Sequence, residues 1–456
     1  MVRDMTSGSP MKIITMFAVP MFVGNVFQQV YNMVDSIVVG NFVGPQALAA
    51  VGACSGAFNL ILALIVGLTS GMSVVVAQYF GAKNHVMVKK TFISAIIVNM
   101  SVGLAVSVVG VWLARPLLLL LGTPEDIMDD AVAYLTIMFL GTLANCMYNG
   151  MSSVLRALGD AVLPLLILIM ASLMNVGLDL LFVLTFHMGV PGVALATVLS
   201  QLVSAVLCVI YVFIRLPMLR FGKKEFRPDW DVVREIVRIG VPAALSSSGV
   251  SISVMFMQRA INAYGSTVIA AYTSGNRAEQ LGMCLSFSIG SSVGTFCGQN
   301  IGAKNFDRVK KGLHAGLIIS FAYTITVGAL MFIFSGFLSR LFSSDPAVIA
   351  ISSECVRVTA VFAPMLGLVF IFQNFLRSAG DVTPTVWMSI SEIVARSVLA
   401  FAFSALFGYH GIWWATPVGW TGSALIGYLR YRTGKWKAKL KVTTESVTGE
   451  TAVKAG

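Results

Sequence analysis

Twelve apolar runs follow one another from about Met11 to Tyr431, each long enough to cross a bilayer as a helix. About 20 apolar residues span the hydrocarbon layer. Within it, only helices and closed barrels satisfy every backbone N–H and C=O. Cutting at charged and Gly/Pro-rich links predicts helices over residues 12–38, 47–78, 89–114, 127–155, 162–185, 192–214, 233–260, 268–299, 310–338, 348–376, 384–406 and 411–431. Composition agrees, with 57% hydrophobic and 11% charged residues against roughly 25% charged in soluble domains. The expected fold class is an all-α membrane protein.

The net charge of +11 does not point to nucleic acid, because the basic residues sit in short links between apolar runs. Alternate links are basic: Lys83, Lys89 and Lys90; Arg156; Arg215 through Arg238; Lys304 through Lys311; Arg377; and Arg430 to Lys441. Another link carries Glu125, Asp126, Asp129 and Asp130. The positive-inside rule then puts both termini in the cytoplasm. The first run lacks a small-residue cleavage site followed by a soluble segment, so it reads as a span and not a leader. Cys54, Cys146, Cys208, Cys284, Cys297 and Cys355 lie in apolar runs without metal-ligand spacing and read as core. Trp230, Trp413, Trp414 and Trp436 near run ends suit interfacial anchoring.

The chain repeats itself. Gln78-Tyr79-Phe80-Gly81-Ala82-Lys83-Asn84 recurs as Gln299-Asn300-Ile301-Gly302-Ala303-Lys304-Asn305. Leu155-Arg156-Ala157-Leu158-Gly159-Asp160 recurs at the same spacing as Leu376-Arg377-Ser378-Ala379-Gly380-Asp381. Gly192 and Ala196-Thr197 pair with Gly411 and Ala415-Thr416. Six helices per copy is an even number, so the copies run parallel: two lobes around a central cleft, a transporter plan with rocking as the expected motion. The expected division is an N-lobe over 1–216, a cytoplasmic linker over 217–230, a C-lobe over 231–440 and a disordered polar tail over 441–456.

A charge at mid-membrane costs about 2.5–3.5 kcal/mol on insertion scales, so each buried acid needs a reason. Asn25, Gln28, Asn32 and Asp35 share one face of the first helix, and Asn175 and Asp179 share one on the fifth. The stripe is either interhelical hydrogen-bond glue or the wall of a wet cavity. If Asp35 and Asp179 line one cavity, they form a proton-accepting pair or a cation site. Their counterparts in the second half are apolar: Phe256 or Met257, and Val398 to Ala400. That asymmetry favours a coupling site in the first half. Glu279 is a candidate second coupling or substrate-charge site, or else part of a structural pair with Arg259. Glu392 with Arg396, and Glu354 with Arg357, are spaced for salt bridges along a helix. Tyr31, Tyr134, Asn149, Met257 and Gln373 are further candidates to line the cleft.

Taken together, Pro20-Met21-Phe22-Val23-Gly24-Asn25-Val26-Phe27-Gln28-Gln29-Val30-Tyr31-Asn32-Met33-Val34-Asp35, Ala77 through Asn84, Ile269-Ala270-Ala271-Tyr272 and the paired Arg-x-x-Gly-Asp turns resemble the multidrug and toxic compound extrusion (MATE) family over essentially the whole chain. The resemblance implies an antiporter that exports organic cations and amphipathic compounds in exchange for H+ or Na+, as a monomer in a bacterial plasma membrane. No cofactor beyond that ion, no metal and no nucleic-acid partner is expected. Asp35, Asn175 and Asp179 match the residues of the branch with a first-lobe cation site, and Pro20 matches a proline where the first helix bends. The branch with second-lobe acids on helices seven and ten is not matched. A flippase for a lipid-linked metabolite is the alternative. No enzyme constellation, selectivity-filter sequence or P-loop is visible.

Overall fold

The computed structural model describes residues 3–222 and 224–439. The tail expected to be disordered lies outside them. The described residues form helices and connecting turns, with no strand. The long helices are α1 (Pro10–Val43), α2 (Pro45–Gly81), α3 (His85–Leu120), α4 (Glu125–Ala157), α5 (Val162–Thr185), α6 (Gly189–Arg215), α7 (Trp230–Asn262), α8 (Ser266–Gly302) and α9 (Phe306–Ile333). They are followed by α10 (Pro346–Val361 with Ala363–Ser378), α11 (Val382–Phe407) and α12 (Tyr409–Arg432). Eleven qualify as spans by length and composition, counting α10 as one. α12 completes the twelve; its 24 residues are diluted by Gly, Thr, His and Arg.

Two helices depart from the expected outline. α9 ends at Ile333, and a separate short helix, Ser335–Arg340, follows it. α10 bends by 51° at Phe362. Pro364 follows that break, where its ring and missing N–H prevent the first half from continuing straight.

The chain forms two compact units. Of the described residues, one contains 23–76 and 84–240 and the other 4–22, 77–83 and 241–439. Small residues let helices approach within each. In the first, Gly110 of α3 lies under the Phe139 ring of α4, where a Cβ would overlap it. In the second, the end of α2 crosses the end of α8. A Cβ on Gly81 would overlap the Gln299 carbonyl, and one on Gly302 the Gln78 carbonyl. This reciprocal pattern joins the two copies of the longest repeated motif.

The repeat is also conformational. Lys83 and Lys304 take left-handed φ values of 57° and 56°. The next residue caps a helix in both copies: Asn84 Oδ1 accepts from the Met87 amide at 3.0 Å, and Asn305 Oδ1 from the Arg308 amide at 3.2 Å. Gly159 and Gly380 both take positive φ, 86° and 72°. Asp160 accepts from the Val162 and Leu163 amides and is bonded by the Tyr211 side chain of α6, and Asp381 pairs with Arg430 of α12 at 2.6 Å.

Two of the four expected interfacial tryptophans are buried in protein. Trp413 is stacked on Tyr272 and Trp436 packs on Phe375, whereas Trp230 and Trp414 are exposed. Position near a helix end does not reveal whether a neighbouring helix covers the ring.

Candidate functional site

The first unit brings α1, α4, α5 and α6 together around the two acids. Asp179 and Asn175 are one turn apart on α5 and fully buried. With its amide oriented to suit its neighbours, Asn175 donates from Nδ2 to Asp179 Oδ2 at 3.0 Å and accepts at Oδ1 from the Thr197 amide at 3.2 Å. The Asp35 carboxyl, from α1, is in hydrogen-bonding contact with that of Asp179. The spacing on each helix set the faces; packing of α1 on α5 makes them meet.

Aromatic hydroxyls surround the pair. The Tyr31 hydroxyl bonds the Thr197 side chain. Thr197 spends its own proton on the Val193 carbonyl at 3.1 Å, so Tyr31 donates and Thr197 accepts. Tyr134 of α4, 8% exposed, lies within electrostatic reach of Asp35, Asp179 and Tyr31. No lysine or arginine is among the residues acting on either carboxyl. Oδ1 of Asp35 and Oδ1 of Asp179 are buried and receive no hydrogen bond from the protein.

Backbone irregularity follows each acid. α1 closes in a π turn at Val39–Val43 and α5 in one at Leu181–Thr185, and the two π turns touch. A π turn inserts one residue into the helical register and rotates the following side chains. Neither turn carries a Pro or charge pattern that reads out of the sequence.

Other candidates lie apart from this cluster. Gln28 donates to Asn32 Oδ1 at 3.4 Å along α1. Asn149 donates to Asn145 Oδ1 at 2.8 Å along α4. Pro20 sits inside α1, on the part belonging to the second unit. Met257 is buried in that unit's apolar cluster, and its sulfur accepts from the Thr416 hydroxyl at 3.6 Å. Gln373 donates to Ser389 at 3.5 Å. Thr197 is the site residue the polar stripes did not single out, although it belongs to the repeated Ala-Thr motif.

Two expected charge pairs are replaced, and a third, Glu392 with Arg396, persists only as a longer-range attraction. Glu279 faces Arg396 and Thr359 instead of Arg259, which is exposed. Glu354 pairs with His410 at 2.6 Å, while Arg357 donates to Ser335 Oγ at 2.9 Å. Glu392 hydrogen-bonds Ser423 and makes no direct ion pair with Arg396 among the described residues. For Glu354 and Arg357 a partner on another helix outcompetes the one along the same helix.

Two stretches, residues 20–181 and 242–402, each match the MatE family model. The probable multidrug resistance protein YpnP of Bacillus subtilis is 31% identical over 97% of this chain and 99% of its own. A solved MATE structure in complex with MaL6 is 25% identical, covers 95% of this chain and 99% of its own, and superposes with a TM-score of 0.89. A MATE structure described as the bent conformation is also 25% identical, covers 96% and 98%, and has a TM-score of 0.88. One family match in each half, on a twelve-helix frame, makes this chain a member of the MATE family of multidrug efflux transporters.

Proposed function

We propose that the protein is a secondary antiporter that exports organic cations and amphipathic drugs in exchange for H+ or Na+, with Asp35, Asn175 and Asp179 as the coupling site. The observation that carries this reading is the contact between the fully buried Asp179 carboxyl and the half-buried Asp35 carboxyl, with no basic residue acting on either. A hydrogen bond between two carboxyl groups needs one proton on the pair. The pair therefore has room for one exchangeable cation per cycle, with Asn175, Tyr31 and Tyr134 lining it. The two Oδ1 atoms without donors are oxygen ligands suited to a proton or a small hard cation.

In this reading ion binding at Asp35 and Asp179 changes the packing of α1 and expels the drug. Pro20 offers a place to bend, because its ring removes one backbone hydrogen bond from the helix. The halves 1–216 and 231–440, joined by 217–230, then alternate access, release the ion inside and load substrate. The protein works as a monomer in a bacterial plasma membrane with both termini cytoplasmic. The multidrug names of its relatives support the substrate class.

The test is efflux of a fluorescent cation from proteoliposomes under separate proton and sodium gradients, comparing wild type with Asp35→Asn. One gradient is expected to drive the wild type, and the variant is expected to lose that response. A variant driven as well as wild type would falsify the coupling assignment. Movement of a lipid-linked sugar with no efflux of the cation would instead mark a flippase.

A further inference from the structure

α1 and α7 change unit along their length. Residues 10–22 of α1 group with the second unit and 23–43 with the first, whereas residues 230–240 of α7 group with the first and 241–262 with the second. Each change falls beside a proline inside the helix, Pro20 in α1 and Pro242 in α7. The two feet pack alike. Ile14 and Phe17 are buried on the α1 foot, where the Ser292 hydroxyl of α8 reaches the Met21 sulfur at 4.0 Å. Gly71 of α2, the repeat counterpart of Ser292, lies against the α7 foot, where a Cβ would overlap the Ile236 carbonyl.

A non-helical segment docks each foot on its unit. Ahead of α1, Met5 is fully buried. Its amide donates to Gln299 Oε1 at 2.9 Å, and its carbonyl accepts from Asn300 Nδ2 at 3.2 Å and from Arg308 Nε and Nη2 at 3.2 and 3.1 Å. Gly8, at a φ of 85°, presents its carbonyl to Arg308 Nη1 at 2.7 Å. The Arg308 guanidinium also lies over the Phe296 ring, 5.1 Å from its centre. Ahead of α7 the docking is by ion pairs on α3, Lys89 with Glu225 at 2.7 Å and Lys90 with Asp229 at 3.4 Å. The first copy of the repeat has Val75, Tyr79 and Met87 where the second has Phe296, Asn300 and Arg308. The second copy thus carries a receptor for residues 4–8 that the first lacks. Segments outside helices are ordinarily the mobile part of a structure; this one is held by an arginine and a buried methionine.

We propose that residues 4–8 are an anchor that fixes the foot of α1, with Arg308 as its positioning residue, so that only the part of α1 beyond Pro20 swings. The physical need is a fixed point. A helix pushed at one end moves as a rigid rod unless its other end is held. With the foot held, displacement at Asp35 bends the helix at Pro20, where a backbone hydrogen bond is missing. With the foot free, the same push shifts the whole helix and nothing is transmitted. The ion pairs ahead of α7 are partly exposed and individually weak, so the α1 anchor is the stiffer of the two. This rests on the ion-coupled export reading above and deepens it by naming what the coupling helix works against.

The experiment pairs hydrogen exchange of the full chain in nanodiscs with transport of a fluorescent cation in proteoliposomes. Arg308→Met gives the second copy the residue of the first. It is expected to speed amide exchange over residues 5–14 about tenfold, the scale of one lost charged hydrogen bond. Uphill accumulation of the cation under an ion gradient should fall by a similar factor, whereas downhill equilibration should keep the wild-type rate. Arg308→Lys, which keeps a donor at that place, should recover part of the accumulation. Met5→Ala keeps every backbone bond and should repeat both effects, so a misfolded arginine variant would not shield the proposal. Faster exchange with undiminished accumulation would overturn it, as would unchanged exchange in both variants. Uphill and downhill transport falling together would mark a merely structural role and overturn it as well. A wild type that no ion gradient drives would refute the export reading and the proposal with it.

Discussion

Replacing Asp179 by Asn removes a charge and keeps the shape. The site is fully buried, so a larger change would disturb packing as well. An amide at 179 can still face Asn175, whose own amide can rotate to match. The expected loss of stability is therefore small, within about 1 kcal/mol. The loss in coupling is large. If the Asp35–Asp179 pair carries one cation per cycle, exchange against a drug of no net charge moves one charge across the membrane. A potential of 100 mV then supplies about 2.3 kcal/mol, which supports about a forty-fold drug gradient. A monovalent cationic drug exchanged one for one moves no net charge and should not respond to voltage. The assay is proteoliposomes with an imposed potassium diffusion potential and no ion gradient of other kinds, with drug accumulation followed at steady state. Wild type should concentrate the neutral drug and Asp179→Asn should only equilibrate it. A variant that keeps the full voltage response, with the protein still monodisperse, would refute the assignment of Asp179.

Three further outcomes follow from the frame. Gly81→Ala and Gly302→Ala each put a methyl into a facing carbonyl, so each should lower the unfolding temperature by more than Gly→Ala at exposed Gly222. The overpacking cost is about 1–3 kcal/mol. Asn84→Ala and Asn305→Ala each remove a helix cap and should cost about 1 kcal/mol apiece, read by thermal unfolding in detergent. On the 217–230 segment, Lys89 donates to both Glu225 oxygens at 2.7 and 2.8 Å. These bonds hold the Glu225 carboxyl below its usual value. With the folded value depressed, the link is present above the ordinary carboxylate range and lost as pH falls through the lowered value. Hydrogen exchange of the segment should rise over that acid window, and Lys89→Met should make it insensitive there.

Much of the frame was legible because lipid leaves so few options. Run lengths gave the helices, and Val162–Thr185 matches its expected span at both ends. The constant spacing of the Gly-Ala-Lys-Asn and Gly-Asp motifs gave the repeat, and both copies take the same left-handed turns. The break at Phe362 and the end of α9 at Ile333 were missed, since an apolar run reads the same whether it is one helix or two. The charge pairs were missed for a related reason. Spacing along a helix identifies neighbours on that helix and is silent about a histidine or serine on the next one, as Glu354 and Arg357 illustrate.

The sequence by itself determined that the chain lives in a membrane, that it is built twice, and that its first half alone carries Asp35, Asn175 and Asp179. These are properties of hydrophobicity, spacing and residue type, and they are local to the chain. Only the tertiary structure decided that Asp35 and Asp179 touch, that Thr197 and Tyr31 join them, and that Arg396 comes within electrostatic reach of Glu279. Those facts depend on helix rotation and depth, which π turns shift and interhelical packing fixes, and a uniform apolar run encodes neither.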